Sequence, residues 1–186
     1  FREAEESHAS AENARQTAQV KLQGERLKEA DRKYETAIGN FEQYLARYPR
    51  SEKNPEVMYE LGIAYQHSAD LYQWAQADAA NENARIEATE ALRSRLNNSY
   101  GYYRKAIQAF EDLREKGKLD DLGHGLLRNS YFSTGDVLVR LEKFKEAIEA
   151  YTAAANRYPR QSDTLQAYVQ VAACYEKLDK PAEAHS

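Results

Sequence analysis

The residues of this chain whose types could support catalysis or metal binding are few and scattered. His67 and Asp70 are three positions apart, which places them on one face of a helix and supplies two of the ligands that a metal ion needs. Two candidate ligands are too few for a site without help from elsewhere. His124 follows an Asp-Asp pair and lies between two glycines, which favours a mobile turn over a catalytic base. The remaining histidines, His8 and His185, are distant in the sequence.

Motifs of the common enzyme classes are missing from the sequence. It has no Gly-rich phosphate loop, no His-Glu-x-x-His, no paired cysteines and no nucleophile elbow. The single cysteine, Cys174, falls beside an apolar stripe and is expected to be a small buried hydrophobe. We therefore expect no enzymatic activity, no cofactor and no metal site. The alternative is an accessory region of an enzyme whose catalytic domain lies elsewhere.

The 186-residue chain is acidic and mostly polar. Its formal net charge is -4, with 42% hydrophobic and 30% charged residues, and its mean hydropathy is -0.86. A pI near 5.7 argues against a phosphate-binding face, so we expect no nucleic-acid partner. No apolar run reaches the length of a membrane span.

A helical-hairpin pattern organises the chain. Two antiparallel helices need a small residue where their backbones approach, large apolar residues on either side, and a stop after the second helix. The clearest copy supplies these in order, at Tyr131, Thr134, Gly135, Leu138, Ala147, Tyr151, Ala154 and Pro159.

Further copies of the pattern show that it is a repeat. Two other second-helix cores align with Phe144, Ala147, Ile148 and Tyr151, one at Tyr34, Ala37, Ile38 and Phe41, the other at Tyr103, Ala106, Ile107 and Phe110. First helices recur at Leu61-Gly62 with Tyr65 and at Val171-Ala172 with Tyr175. A recurring hairpin of this kind predicts a stacked solenoid.

The pattern resembles the tetratricopeptide repeat (TPR) consensus of an aromatic residue, a Leu-Gly pair and a Tyr, then Ala, Phe, Ala and a closing Pro. Thr134 and Leu138 depart from it. The resemblance implies an all-α, TPR-like superhelical solenoid of antiparallel helix hairpins. It also implies a non-catalytic scaffold for a protein or peptide partner.

TPR proteins usually bind partners on a concave face lined by first helices, so the resemblance points to residues near the packing positions. These candidates are polar with a few apolar anchors, which suits an extended segment or helix of another protein. They lack the Lys and Asn set with which chaperone-binding TPR domains clamp a C-terminal carboxylate. The candidate partner-binding residues on this face are Tyr59, Gln66, His67, Asn129, Phe132, Asp136 and Arg140.

The hairpin ends suggest a narrower resemblance. The segments at 47–51 and 157–162 are near copies, Arg-Tyr-Pro-Arg-Ser and Arg-Tyr-Pro-Arg-Gln-Ser. They look like the hairpin ends of bacterial envelope TPR proteins of the BamD and CpoB type, which implies a periplasmic or membrane-anchored location. We expect the chain to be a trimmed piece from which a targeting segment and further repeats have been removed, with another second helix beginning near Ala184.

Residues 1–33 are expected to form an N-terminal helical arm, and residues 34–186 the repeats, with a truncated repeat at the C-terminal end. The arm is rich in Ala and Glu and free of Pro, which predicts helix. It is either one long helix leading into the Tyr34 helix or a degenerate first helix that uses Gly24 and Leu27. At the first hairpin end, Asn54 is expected to cap the next helix and Pro55 to start it.

One hairpin carries an insertion. Gly135 and Ala147 are twelve residues apart, whereas the aligned Gly62 and Ala106 are forty-four apart, so some thirty-two residues, about 67–98, have been added. The insert most simply lengthens both helices, with a turn near Ala80 to Asn83, although 97–101 could instead break the return helix.

The inserted region carries two candidate anchors for a partner. Trp74 and Tyr100 have large amphipathic rings in or beside the insert, and such rings are common at interfaces. The alternatives are an extension that packs only on itself and a self-association surface formed by the last helix or the long hairpin.

Overall fold

The computed structural model describes residues 2–180, and their side chains from residue 24 onward. Within this range the fold is all-α, a TPR-like solenoid of antiparallel helix hairpins with one hairpin extended by an insertion. The predicted start of a second helix near Ala184 lies outside the described residues. The helices are α1 (Arg2–Arg47), α2 (Asn54–Ala77), α3 (Glu82–Glu115), α4 (Asp121–Arg140), α5 (Phe144–Arg157) and α6 (Ser162–Lys177).

The hairpin of α2 and α3 and the hairpin of α4 and α5 each contain a close contact between a glycine of the first helix and a tyrosine ring of the second. A Cβ built on Gly62 would lie 2.6 Å from the Tyr103 ring, and one on Gly135 would lie 2.6 Å from the Tyr151 ring. Only a residue without a side chain allows this approach, so each glycine fixes the spacing of its hairpin.

This contact corrects the sequence alignment of the extended hairpin. Gly62 and Tyr103 are forty-one positions apart and Gly135 and Tyr151 sixteen, so the insertion measured at the contact is twenty-five residues. Tyr103, which we aligned with Phe144, is therefore equivalent to Tyr151. The seven-residue shift is two helical turns and keeps the same face inward, because residues seven apart lie on one helix stripe.

The inserted residues extend both helices as predicted. The connecting turn occupies residues 78–81, and the Asn81 side chain caps α3 by accepting a 2.9 Å hydrogen bond from the Ala84 backbone N–H. The possible break at 97–101 is absent, since α3 continues through it. Ser99 strengthens the pairing there by donating a 2.7 Å hydrogen bond to the Gly62 carbonyl.

Helix α1 is continuous from Arg2 to Arg47, so the arm is one long helix and not a separate first helix. Its C-terminal half packs on α2, where Ile38 is buried against Leu61 and Tyr65. An ion pair between Glu35 and Arg95 of α3 adds a polar contact.

The two Tyr-Pro corners share a hydrogen-bond pattern. The side-chain amide of Asn54 donates to the Tyr48 carbonyl at 3.0 Å, and the Thr164 hydroxyl donates to the Tyr158 carbonyl at 2.5 Å. Both donors lie six positions after the tyrosine. The prediction that Asn54 caps α2 is wrong, because its side chain holds the corner and no side chain caps this helix.

The prediction of a turn at His124 is also wrong. His124 lies in the first turn of α4, and the Asp120 side chain caps that helix by accepting a 2.8 Å hydrogen bond from the Gly123 backbone N–H. The cap offsets the low helix propensity of two glycines.

We expect Gly135→Ala to destabilise the protein by about 1–3 kcal/mol, because the added methyl meets a buried, hydrogen-bonded Tyr151 ring that has little room to move. The matched control is Gly101→Ala, also inside a helix but with nothing within 4 Å of the new Cβ. This control should gain about 0.5–1 kcal/mol from helix propensity. Urea unfolding of both variants checks the prediction, and equal responses would contradict it.

Candidate functional site

The face formed by the neighbouring first helices α2, α4 and α6, hereafter the first-helix face, brings two predicted residues together. The Arg140 guanidinium donates to the Gln66 backbone carbonyl and the Gln73 side chain, each at 3.3 Å, and pairs with Asp70 at 2.8 Å. The Gln66 side chain in turn accepts a 2.8 Å hydrogen bond from Tyr103. Arg140 therefore ties α4 to three successive turns of α2.

A second arginine makes the equivalent bridge between α4 and α6. Arg128 donates to Gln161 at 3.0 Å and lies 3.4 Å from the Asp163 carboxylate. It also donates to Asn129, a predicted partner-binding residue, at 3.2 Å. Arg140 and Arg128 are thus already paired within the chain.

Asp136, another predicted partner-binding residue, links the two helices of the hairpin formed by α4 and α5. Its carboxylate accepts a 2.5 Å hydrogen bond from the Tyr151 hydroxyl. Burial, with a smaller effect of Asp163, raises the pKa of Asp136 although the hydrogen bond opposes it. Burial and the facing carboxylate also raise the pKa of Tyr151.

Three predicted residues do not line an open groove. Tyr59 and Phe132 are only 9% and 8% exposed and belong to the hydrophobic core, because each position faces the second helix of its own hairpin. This corrects the expectation that their rings face a partner. His67 is exposed, and its ring is in edge contact with the Tyr34 ring of α1, with 6.5 Å between the ring centroids.

The extended hairpin forms an apolar groove with α1, hereafter the Trp74 groove. Its volume is about 490 Å³. Trp74 remains 55% exposed, whereas Leu71, one turn earlier, is buried. Two charged residues, Arg26 of α1 and Asp78 of the connecting turn, also contribute to the lining. The lining residues are Arg26, Leu27, Ala30, Leu71, Trp74, Ala77 and Asp78.

Tyr100 lies elsewhere. It is half-buried on α3, where it packs against both larger core clusters and its hydroxyl accepts a 3.2 Å hydrogen bond from Arg104. Trp74 and Tyr100 therefore do not share one site.

Tyrosine hydroxyls on several helices donate to carboxylates on the helix beside them. Tyr72 donates to Asp31 at 2.9 Å and Tyr131 to Glu111 at 2.9 Å. Glu42 accepts from both Tyr65, at 2.9 Å, and Tyr102, at 3.0 Å. Burial first, and the carboxylate second, raises the pKa of Tyr72, Tyr102 and Tyr131 to about 12 each.

The described side chains contain no group of three or more His, Cys, Asp or Glu placed to hold a metal ion. Asp70, the second candidate ligand beside His67, is paired with Arg140. His8 and His185 lie outside the described side chains. No helix in the described range is long and apolar enough to cross a membrane.

Sequence reasoning missed the partners of Arg140 and the tyrosine–carboxylate bonds. Both pair residues tens of positions apart, a distance at which helical spacing carries no signal. The corner bonds of Asn54 and Thr164 did leave a signal, since each residue follows Tyr-Pro by the same interval in two near copies.

The chain matches no protein-family model and no curated protein, but it is similar to solved structures. BtubC (BKLC) from P. vanneervenii is similar with a TM-score of 0.38 and 14% identity, over 86% of this chain and 70% of that chain. A MamA mutant has a TM-score of 0.29 and 20% identity, over 83% of this chain and 86% of that one. MamA AMB-1 gives the same TM-score and identity, over 83% and 85%. At these TM-scores the likeness carries no functional argument.

We expect the free energy of unfolding to fall as pH rises from 10 towards 12. A tyrosine whose folded pKa is about 12 and whose unfolded pKa is about 10 stabilises the fold fully below pH 10 and loses that contribution as pH rises through its folded pKa. The slope of the free energy of unfolding against pH is proportional to the number of protons released on unfolding. Tyr72→Phe should make this slope shallower between pH 10 and 12, by the equivalent of less than one proton. Urea unfolding at stepped pH measures the slope, and a slope equal to wild type would refute the assignment.

Proposed function

We propose that this protein is a non-catalytic scaffold that binds another protein, and that the Trp74 groove is its principal contact surface. The observation that carries the proposal is a tryptophan left 55% exposed beside an apolar groove of about 490 Å³. Exposed aromatic rings beside apolar pockets dominate the energetics of many protein interfaces.

The chemistry of the groove indicates the kind of segment it fits. Leu27, Leu71 and Ala77 provide an apolar lining, while Arg26 and Asp78 provide charges of both signs. A partner helix or extended segment with one bulky apolar side chain, flanked by polar residues, satisfies both features.

The first-helix face is a weaker candidate. A partner there would compete with existing pairs, because Arg140 is held by Asp70 and Arg128 lies beside Asp163. Gln66, Asn129, Asp136 and Arg140 remain proposed partner-binding residues. A partner at this face would have to make hydrogen bonds to side chains that already have partners within the chain.

We also propose a location in the bacterial cell envelope. The support is the likeness of the Tyr-Pro-Arg hairpin ends at 48–50 and 158–160 to envelope TPR proteins. Fractionation of source cells with an antibody against the chain tests it.

We expect Trp74→Ala to weaken binding of a captured partner at least tenfold, because truncating a central interface tryptophan commonly costs about 2 kcal/mol or more. Trp74 is the chain's single tryptophan, so its emission should shift when purified partner is titrated into wild type. That shift places the partner at the groove directly.

Two variants serve as controls for this titration. Leu122→Ala removes an exposed apolar side chain of α4 outside the groove and should bind like wild type. Arg140→Gln tests the first-helix face. Binding that survives Trp74→Ala but is lost with Arg140→Gln would move the site to that face, and a partner that shifts no emission would refute the groove.

A further inference from the structure

The two helices that border the Trp74 groove each present a short apolar stripe to it. Leu71 and Trp74 are three positions apart on α2, and Leu27 and Ala30 are three positions apart on α1. Residues at this spacing lie on one side of a helix, so each stripe runs along its helix axis. A groove between two such stripes fits the apolar side of a third helix.

The groove is short. From Leu71 to Ala77 it extends about 9 Å along α2, at about 1.5 Å per residue. At one end a 2.9 Å hydrogen bond from Tyr72 to Asp31 ties the two helices together, next to Leu71 and Ala30. Two side chains four positions apart on a partner helix are separated by about 6 Å along its axis, so both fit within this length.

The other end of the groove carries two charges of opposite sign. Arg26 and Asp78 both line it, and within the described part of the chain neither side chain has a hydrogen bond or an ion pair. Further along α1, by contrast, Glu35 is already paired with Arg95. Arg26 is therefore available to a carboxylate of a partner, and Asp78 to a cation.

The C-terminal end of α2 adds to the negative charge of Asp78. The carbonyl groups in the last turn of a helix carry a partial negative charge, which favours a cation nearby. The last turn of α2 contains no basic residue, and Asp78 directly follows it. A basic side chain of a partner is therefore favoured by both the carboxylate and the helix end.

We propose that the partner at the Trp74 groove is an amphipathic helix that inserts two apolar side chains, four positions apart, between α1 and α2. An acidic residue on one flank of this apolar pair binds Arg26, and a basic residue on the other flank binds Asp78. This inference rests on the proposed function, because it specifies the chemistry of the partner for the same groove.

The test uses three synthetic Ala-rich helical peptides as probes. Each has Leu at positions i and i+4, and they differ only in the residues that flank the Leu pair, which are one Glu and one Lys, two Glu, or two Lys. Binding is measured from the emission of Trp74, the chain's single tryptophan. At low ionic strength, where exposed charges are least screened, wild type should bind the Glu/Lys peptide at least threefold more tightly than either of the others.

Charge reversal on the protein should change this preference. Arg26→Glu leaves two acidic residues at the groove and should bind the Lys/Lys peptide best, whereas Asp78→Lys leaves two basic residues and should bind the Glu/Glu peptide best. The matched controls are Lys28→Glu and Glu87→Lys, which make the same charge changes at exposed residues outside the groove lining. Both controls should keep the wild-type preference, and circular dichroism verifies that all four variants fold.

A fourth peptide tests the helical conformation of the partner. It carries the Glu/Lys flanks with Pro between the two leucines, which breaks the helix, and it should lose binding. Equal binding of this peptide would identify an extended segment as the occupant and overturn the proposal. So would wild type that binds none of the peptides or all of them equally, or a preference that Arg26→Glu and Asp78→Lys leave unchanged.

The same variants separate this inference from the proposed function. A captured protein partner that shifts the Trp74 emission, yet binds Arg26→Glu and Asp78→Lys as tightly as wild type, refutes the charged helix and leaves the groove as the contact surface. A partner that shifts no emission refutes both.

Discussion

The close approach of glycine and tyrosine within each hairpin is the constraint on which the rest of this structure depends. Gly62 admits the Tyr103 ring and Gly135 admits the Tyr151 ring. Once the backbones are this close, the hydroxyl of each tyrosine reaches a polar side chain of the first helix, Gln66 in one hairpin and Asp136 in the other. Close packing and hydrogen bonding thus depend on the same two residues, so the loss of a glycine would disturb both.

The same contact explains how a hairpin can be lengthened without disturbing its neighbours. The twenty-five added residues lie beyond the Gly62–Tyr103 contact, at the far ends of α2 and α3, so that contact is the same as in the shorter hairpin. The added length requires support at its outer end, and α1 provides part of it through the bond from Tyr72 to Asp31. The Trp74 groove lies where α1 runs beside this extension.

The repeated hairpins, the extension and its turn were predictable from sequence because each is encoded locally, by small and large apolar residues at fixed spacing. The register of α3 against α2 was not predictable from sequence. Ser99 and Ala106 are both small and lie on one face of α3, so helical periodicity allows either residue to lie beside Gly62. Tyr59 and Phe132 were misplaced for a related reason. Spacing gives the angle of a residue around its helix, but burial depends on what packs there. The partners of Arg140 come from another hairpin, and only the fold brings them close.

Repeat proteins differ from compact domains because each unit buries its apolar face only on its neighbours. Tyr158 illustrates this, since its ring packs on Tyr131 and Phe132 while the equivalent Tyr48 is exposed. The Trp74 groove borders the side of α1, whereas a second groove of about 510 Å³ lies at the C-terminal end of α1, lined by Tyr44, Tyr48, Pro49, Arg50 and Ser51. Within α1, Arg26 of the first groove and Tyr44 of the second are separated by about 27 Å at about 1.5 Å per residue. A ligand that fills one groove need not touch the other. The long α1 can therefore carry two independent contacts, one along its side and one at its C-terminal end.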